Sequence, residues 1–313
     1  MTESGDRNRN RVDARRLAQR VRDRLRQGTW PFFLMGAVLF GSSARGTAGK
    51  DSDVDLLVVA RNLPPHRHRR REEILQIKAA MPGIPLDVLL FTPEECEQNF
   101  RGHNPLFLDI AEEGVILVDE EGTLEALIDE ARRYMDEHGV RRSGEGWRFP
   151  VQKRVPTPLS PVSNEEFARA MLTDGSRDYE IGDRLIAAGY YDKAVYHFQQ
   201  AAEKAVKAIL ICFGSFQRTH VVGSILAGLV EEESLPRGTR DVLKEAARLS
   251  SKLEPEGTFS RYPGMTEHSL WIPSEEYTRE DAQSSQGDAG RVVDIARAFL
   301  KDWFGGSGQT QTS

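Results

Sequence analysis

Apolar and polar positions alternate in two different ways along this chain, and the change falls near its middle. In the first half, short apolar runs are separated by amphipathic stretches in which apolar residues recur every three or four positions. The runs predict strands at residues 35–40, 56–59, 84–91 and 115–118, and the stretches predict helices at residues 12–27, 72–80, 105–113 and 124–137, with one more beginning at Thr92 and Pro93. This alternation predicts an α/β domain with a small mixed sheet.

The second half has a helical period throughout. The predicted helices lie at residues 164–188, 192–213, 221–233, 239–253 and 279–303. Gly175 and Gly182 are weak points in the first of these, which is either one long helix or two joined ones. Gly214 follows the second helix, and glycine is the residue most often found just past a helix C-terminus. This half therefore predicts an all-α helical bundle.

Three segments fit neither pattern. Residues 1–10 and 305–313 are polar and are predicted to be disordered. Residues 139–162 are rich in proline and glycine and predict an interdomain linker, in which Trp147 and Phe149 pack part of the segment on a surface. The predicted domains are therefore residues 11–138 and residues 163–304.

The composition excludes several classes of protein but does not indicate a function. The chain has 313 residues and a net charge of −6, so its overall charge does not attract nucleic acid or anionic lipid. It has no apolar run close to the roughly 20 residues needed to cross a bilayer, and its first residues lack the apolar core of a secretory signal. Cys96 and Cys212 fall in different predicted domains, which is typical of reduced thiols in a cytoplasmic protein.

Two segments concentrate positive charge against this acidic background. The helix at residues 12–27 carries arginines along its polar face, and the loop at residues 61–71 contains the run H-R-H-R-R-R. Each segment is interpreted either as ordinary solvated surface or as a surface that contacts phosphates and steers a polyanion toward a site. The sequence leaves both interpretations open.

The residues that carry chemistry lie between the first two predicted strands. The first apolar run ends at Gly41 and Ser42, and after ten further residues Asp53 and Asp55 stand at the start of the next run. This order predicts a strand, a tight turn, a short helix and a second strand. Residues two apart in a strand face the same side, so the two carboxylates point to one place and favour a divalent cation such as Mg²⁺. The start of the short helix favours phosphate.

The spacing G-S-x10-D-x-D resembles the motif of the minimal nucleotidyltransferase family, within the polymerase-β-like superfamily. Arg45 also agrees with the run that usually follows the serine in that family. The resemblance implies that Asp53 and Asp55 bind metal and act in catalysis. It further implies that Gly41, Ser42 and Arg45 bind the nucleotide.

The same resemblance implies a third carboxylate on a later strand. Asp87 is the acid inside the apolar run at residues 84–91, and we assign it this role as a catalytic residue and metal ligand. An acid inside such a run is expected to be buried, and buried charges are rare unless they are paired or metal-bound. With three carboxylates, the site has room for two metal ions.

The helical half resembles a HEPN domain, a domain of prokaryotic and higher-eukaryotic nucleotide-binding proteins. The resemblance covers about residues 164–304 and is carried by G-Y-Y-D-K-A-V-Y-H-F-Q-Q-A-A-E-K-A-V-K-A-I-L, by R-T-H at residues 218–220 and by R-Y-P at residues 261–263. HEPN domains commonly occur beside or fused to nucleotidyltransferases, and their helices often pair, so the resemblance makes a homodimer through this half a candidate while the oligomeric state stays open.

Many HEPN proteins are ribonucleases that use an arginine and a histidine separated by four to six residues. Here Arg218 and His220 are only two apart, and Arg261 and His268 are interrupted by proline and glycine. This departure favours little ribonuclease activity. The resemblance nevertheless implies a candidate site in this half, formed by Lys204, Lys207, Arg218 and His220. Lys204 and Lys207, with His197 and Gln200, are expected either to be solvated or to close over the transferase site.

The predicted function is Mg²⁺-dependent transfer of a nucleoside monophosphate to an acceptor hydroxyl, with AMP from ATP as the first choice among nucleotides. A fused toxin–antitoxin-like pair, in which the transferase half silences a HEPN ribonuclease half, is the alternative. A nucleotide-binding module without turnover is a third. The acceptor, whether protein, RNA or small molecule, stays open, and no membrane partner is expected.

Overall fold

The computed structural model describes residues 3–49, 52–159, 161–265 and 270–305, with side chains from Ala14 onward. The chain divides into two compact units, Met1–His138 and Gly139–Ser313. The first unit ends where the sequence places the end of the α/β domain.

The first unit is a four-stranded mixed sheet with helices on both faces. Its strands stand in the order β3-β2-β1-β4, with β2 and β3 parallel and the other pairs antiparallel. The elements are α1 (Glu3–Gln27), β1 (Phe33–Phe40), α2 (Gly41–Arg45), β2 (Val54–Arg61), a 3₁₀ turn (Arg67–Arg69), α3 (Arg71–Ala79), β3 (Leu86–Phe91), α4 (Pro93–Arg101), α5 (Pro105–Glu113), β4 (Val115–Asp119) and α6 (Thr123–His138). The predicted α/β class, with its small mixed sheet, is confirmed.

Helix α1 is longer than the apolar pattern predicts. It begins at Glu3, so the described part of residues 1–10 is helical rather than disordered. The reason is that a helix, once nucleated by its amphipathic part, gains one hydrogen bond for each residue added, so the apolar pattern does not mark its first turns. In the predicted disordered tail at residues 305–313, Gly305 is helical, and the remaining residues lie outside the described part of the chain.

A buried arginine ties β3, α4 and the basic loop together. Arg70 is 1% exposed, and its guanidinium donates to the carbonyls of Pro64, Pro65 and Leu90 and to both oxygens of Glu95. Burial would raise the pKa of Glu95, but hydrogen bonds from Arg70, the Thr92 N–H and Arg67 lower it to about 2. The loop at residues 61–71 is therefore anchored.

We expect Arg70→Met to lower the free energy of unfolding of the first unit by roughly 3 kcal/mol, because it removes the buried donor of several carbonyls and the charged partner that contacts both oxygens of Glu95. Arg69→Met, which removes an exposed neighbour, is the matched control and is expected to change it by less than about 0.5 kcal/mol. Urea unfolding measures both. The folded pKa of Glu95 lies below its unfolded value of about 4.3. The contribution of the pair is thus complete above about pH 5 and is lost as the pH falls toward 2.

The second unit is a helical bundle with small strand additions. Its elements are β5 (Arg141–Ser143), β6 (Gly146–Arg148), α7 (Asn164–Ala187), α8 (Tyr191–Cys212), β7 (Ser215–Gln217), α9 (Gly223–Glu232), α10 (Arg237–Leu253), α11 (Glu256–Phe259), β8 (Gly264–Met265), β9 (Leu270–Trp271), α12 (Pro273–Glu276) and α13 (Arg279–Gly305). Helix α8 is buried on nearly every side because α7, α10 and α13 pack around it. The predicted helical bundle is confirmed.

Helix α7 is one continuous helix, and its glycines are packing positions rather than weak points. A Cβ at Gly182 would lie 2.6 Å from the Phe198 ring, and one at Gly175 would lie 3.0 Å from Lys204 Cβ. Their missing side chains allow α7 to approach α8 closely, which explains why the helix tolerates two glycines.

The segment predicted as a linker belongs structurally to the helical unit. Within residues 139–162, β5 and β6 form a hairpin, and β6 pairs with β7, which follows α8. Trp147 and Phe149 are 2% and 3% exposed, and Phe149 contacts Phe216 edge-on at 5.0 Å. Their predicted packing role is thus a core role. Two strands of three residues are too short to show an alternating pattern, which is why the prediction missed them.

In the part of the chain that the structure describes, no helix is both long and apolar enough to span a bilayer.

Candidate functional sites

The sheet of the first unit brings two of the predicted acids together. Strands β2 and β3 are parallel and place Asp55 directly beside Asp87. Partners in such a pair lie about 4.8 Å apart and project from the same face of the sheet. Asp53 stands two residues before Asp55, just ahead of β2, and is exposed. Asp55 and Asp87 therefore lie together at the end of the sheet where β2 and β3 begin, and Asp53 precedes β2 at the same end.

Asp87 reaches solvent, contrary to the expectation that it is buried. It is the exposed residue in a strand whose other positions are mostly buried, and Asp55 is half-buried. The argument from buried charge is therefore wrong for Asp87, and what singles it out is its register beside Asp55. Among the described residues, no group of three or more Asp, Glu, His or Cys side chains converges closely enough to hold a metal ion. The predicted three-carboxylate cluster is thus not formed in this arrangement.

Gly41 lies between strand β1 and the acids. Its φ of +71° belongs to the left-handed region that favours glycine, and a Cβ built on it would lie 2.0 Å from Asp55 Oδ2. The glycine therefore lets the turn at the start of α2 pass directly against the Asp55 carboxylate. Ser42 is the second residue of α2, as predicted, and is half-buried.

Glu113 is a residue of this site that the sequence pattern did not identify. One of its oxygens accepts the Gly41 N–H at 3.0 Å, and both lie 2.6 Å from Arg45 Nη1. Its side chain is only 9% exposed. Arg45 thus lies near the turn, as predicted, and is ion-paired there. Because β4 pairs with β1 and directly follows α5, strand order would have indicated that the end of α5 lies beside Gly41.

The basic loop lies at the other end of the sheet. Arg61, where the loop begins, is six residues beyond Asp55 on β2 and pairs in register with Phe33 at the start of β1. A strand of that length spans about 20 Å. The loop is therefore poorly placed to deliver a polyanion to the acids, which corrects the steering interpretation.

The second unit holds a polar cluster built around a buried carboxylate. Glu203 is 4% exposed and accepts hydrogen bonds from Lys207 Nζ at 2.9 Å and from Gln199 Nε2 at 3.1 Å. His220 Nδ1 lies 3.0 and 3.1 Å from its two oxygens, while the His220 side chain is 78% exposed. A buried carboxylate thus orients an exposed imidazole. Glu203, like Glu113, was missed as a site residue; its spacing of four residues from Lys207 on one helix was the available signal.

The other predicted residues of this half are placed differently. Lys204 Nζ lies 2.5 Å from Asp174 and 2.6 Å from Asp178, so it is held within the helical unit. Burial would lower the pKa of Lys204, but hydrogen bonds to these two carboxylates raise it above its ordinary value. Arg218 is exposed two residues before His220. His268 lies outside the described residues.

Comparison with known proteins matches residues 16–118 to the nucleotidyltransferase domain family and residues 168–300 to the HEPN domain family. Two relatives come from Methanocaldococcus jannaschii. MJ1304, which its name makes a candidate toxin, is 34% identical over 142 residues, covering 45% of this chain and 93% of that protein. MJ1305, named as a candidate protein adenylyltransferase, is 37% identical over 91 residues, covering 28% of this chain and 60% of that protein.

Among solved structures, an archaeal HEPN homologue is 27% identical to this chain. It covers 43% of this chain and 98% of its own length, with a TM-score of 0.33. Together with the fold, the sequence matches define a chain that joins an α/β domain to a helical one. Through residues 168–300 the chain belongs to the HEPN family, and its residues 16–118 match the nucleotidyltransferase domain family.

Proposed function

We propose that the first unit transfers a nucleoside monophosphate from a nucleoside triphosphate to an acceptor hydroxyl. The observation that carries this proposal is the register of Asp55 beside Asp87, next to a glycine turn whose backbone touches the Asp55 carboxylate. The N–H donor of such a turn can bind a phosphate of the donor nucleotide, while the carboxylates beside it can bind a cation and orient the attacking hydroxyl.

The acids fit a bound Mg²⁺ as a pair rather than as a triad. Mg²⁺ is commonly held by one or two carboxylates together with substrate phosphates and water, and Asp55 and Asp87 supply such a pair. Asp53, exposed at the same edge, would join them as a third ligand when the nucleotide is bound. When present, the ion would offset the negative charge that builds up on the phosphates.

The remaining roles fall to groups of the chain itself. The Gly41 N–H, the Ser42 hydroxyl and the Arg45 guanidinium would bind the outgoing phosphates. Asp87 would accept a hydrogen bond from the acceptor hydroxyl, orient it for in-line attack on the α-phosphorus and take its proton as the bond to the leaving pyrophosphate breaks. Positioning and charge neutralisation of this kind supply most of the acceleration in phosphoryl-type transfers.

We further propose that the nucleotide is ATP and that the acceptor is a protein hydroxyl. The support comes from the relative MJ1305, whose name makes it a candidate protein adenylyltransferase. The test is incubation of the full chain with Mg²⁺, cell lysate and ATP labelled at the α-phosphate, followed by separation of protein, RNA and small molecules. Label in protein that is absent with γ-labelled ATP is the expected result. Label in RNA would show that RNA, and not protein, is the acceptor. Binding of ATP without transfer of label would favour a nucleotide-binding module without turnover.

A second candidate function, RNA cleavage by the HEPN half, is favoured by the contact between Glu203 and His220. An exposed imidazole whose Nδ1 is held by a buried carboxylate has its Nε2 directed outward, as a general acid–base requires. Lys207 beside it adds positive charge for a phosphate. The name of MJ1304, a candidate toxin, is compatible with such an activity under control of the transferase half.

This second candidate predicts that the full chain shortens a labelled RNA oligonucleotide and that His220→Ala slows the cleavage about 100-fold. Glu203→Gln is expected to slow it less, because the imidazole remains while its orientation is lost. His66→Ala, which removes an exposed histidine of the first unit, is the control. Equal cleavage by wild type and His220→Ala, or no cleavage by wild type, would eliminate the candidate.

A further inference from the structure

The phosphate-binding groups of the proposed transferase site are already occupied by an anion of the protein itself. The Glu113 carboxylate holds the Gly41 N–H at 3.0 Å and the Arg45 guanidinium at 2.6 Å to each oxygen. These are two of the donors that the proposed function assigns to the nucleotide. A carboxylate that accepts an N–H and a guanidinium together mimics one edge of a phosphate group.

The contact is built to hold and also to release. Gly114, directly after Glu113, has no room for a side chain, since a Cβ there would lie 2.3 Å from the Ile110 carbonyl and 2.7 Å from Val38 Cγ1. The backbone at the end of α5 is therefore fixed against β1. The Glu113 side chain has its own rotatable bonds, and it can leave the donors by a change of rotamer without moving the helix.

We propose that Glu113 is an intramolecular competitor for the nucleotide, which blocks the Gly41 and Arg45 donors until a polyphosphate displaces it. This inference rests on the proposed transferase function. It adds a selection rule: only a ligand with enough negative charge to replace the carboxylate gains these donors, whereas an uncharged nucleoside does not. In the absence of nucleotide, Glu113 would thereby keep weakly binding anions away from the Gly41 and Arg45 donors.

The test measures binding of AMP-PNP and of adenosine to the full chain by calorimetry in the presence of Mg²⁺. Glu113→Gln removes the charge, and we expect it to tighten AMP-PNP binding about tenfold and to leave adenosine unchanged. Glu113→Asp keeps the charge but shortens the side chain by one methylene, and it is expected to tighten AMP-PNP binding in the same direction. Glu112→Gln, which removes the exposed charge next door, is the matched control and is expected to match wild type.

Several outcomes would overturn the proposal. Weaker AMP-PNP binding in Glu113→Gln would make Glu113 a residue that positions Arg45 rather than a competitor. Tighter binding in Glu113→Gln but not in Glu113→Asp would assign the effect to bulk charge. Both results leave the transferase function standing. If neither wild type nor any variant binds AMP-PNP, the transferase function fails and the competitor role fails with it. Circular dichroism of each variant confirms that the fold is retained.

Discussion

Asp55→Asn is expected to reduce nucleotide transfer by about a thousandfold, with the first unit still folded. Asp55 is placed beside Asp87 by the parallel register and touches the backbone of Gly41, so its charge acts on both the donor phosphates and the second carboxylate. Asparagine keeps the shape of the side chain and removes the charge. The measurement is the rate of α-phosphate label transfer at saturating ATP, together with the far-ultraviolet circular dichroism spectrum.

Two further substitutions divide the roles of the neighbouring acids. Asp87→Asn is expected to lower the rate of transfer strongly, because it removes both a proposed Mg²⁺ ligand and the proposed contact with the acceptor hydroxyl. Asp53→Asn tests whether the exposed third acid joins the site when nucleotide is bound, and a reduced rate of transfer would show that it does. Asp129→Asn, at an exposed position on α6, is the control. Near wild-type transfer by Asp55→Asn with an unchanged spectrum would refute the assignment of this edge of the sheet as the active site.

Gly41→Ala is expected to abolish measurable transfer and to weaken triphosphate binding far more than nucleoside binding. The added Cβ would stand 2.0 Å from Asp55 Oδ2, in a backbone conformation with φ of +71° that disfavours alanine. The carboxylate and the turn must then move apart, which separates the acid from the phosphate donors. Calorimetry with ATP and with adenosine measures the two affinities.

The matched control for this substitution is Gly83→Ala. Gly83 has a φ of +77°, close to that of Gly41, but nothing lies within 4 Å of a Cβ built there. It therefore carries the backbone strain, roughly 1 kcal/mol, without the clash. A loss of transfer in Gly83→Ala equal to that in Gly41→Ala would attribute the effect to general destabilisation instead of the site.

The motif around Gly41, Asp53 and Asp55 was predictable because its parts are close in sequence and each has a local physical reason: a turn that needs glycine, and acids two positions apart where β2 begins. Thr92 likewise signalled the start of α4, where it forms a capping box with Glu95. Such features depend on neighbouring residues only. The register of Asp55 beside Asp87 required the strand order as well, and the sequence pattern offered Asp87 for a different reason, burial, that the structure does not support.

The residues that escaped prediction depend on contacts between distant parts of the chain. Glu113 is 72 residues from Gly41 and stands at the end of an ordinary amphipathic helix. Glu203 has the appearance of a solvated helix residue, yet it is buried and its carboxylate contacts His220, 17 residues away. Lys204 was expected to be available to a partner, but two acids of α7 hold it. Amphipathic spacing predicts which face of a helix is buried, but it does not predict which element packs against that face.

The hairpin of β5 and β6 determines where the chain can be divided into its two units. Because β6 is hydrogen-bonded to β7, a chain that began at residue 163 would lack β6 and would leave the core position of Trp147 unfilled. A break between His138 and Gly139 leaves all three hydrogen-bonded sheets of the described residues whole. If a gene fusion or fission joined or separated these two units, a junction at the His138–Gly139 bond would disturb the fold least. Proteolysis and split-gene complementation can examine the same bond.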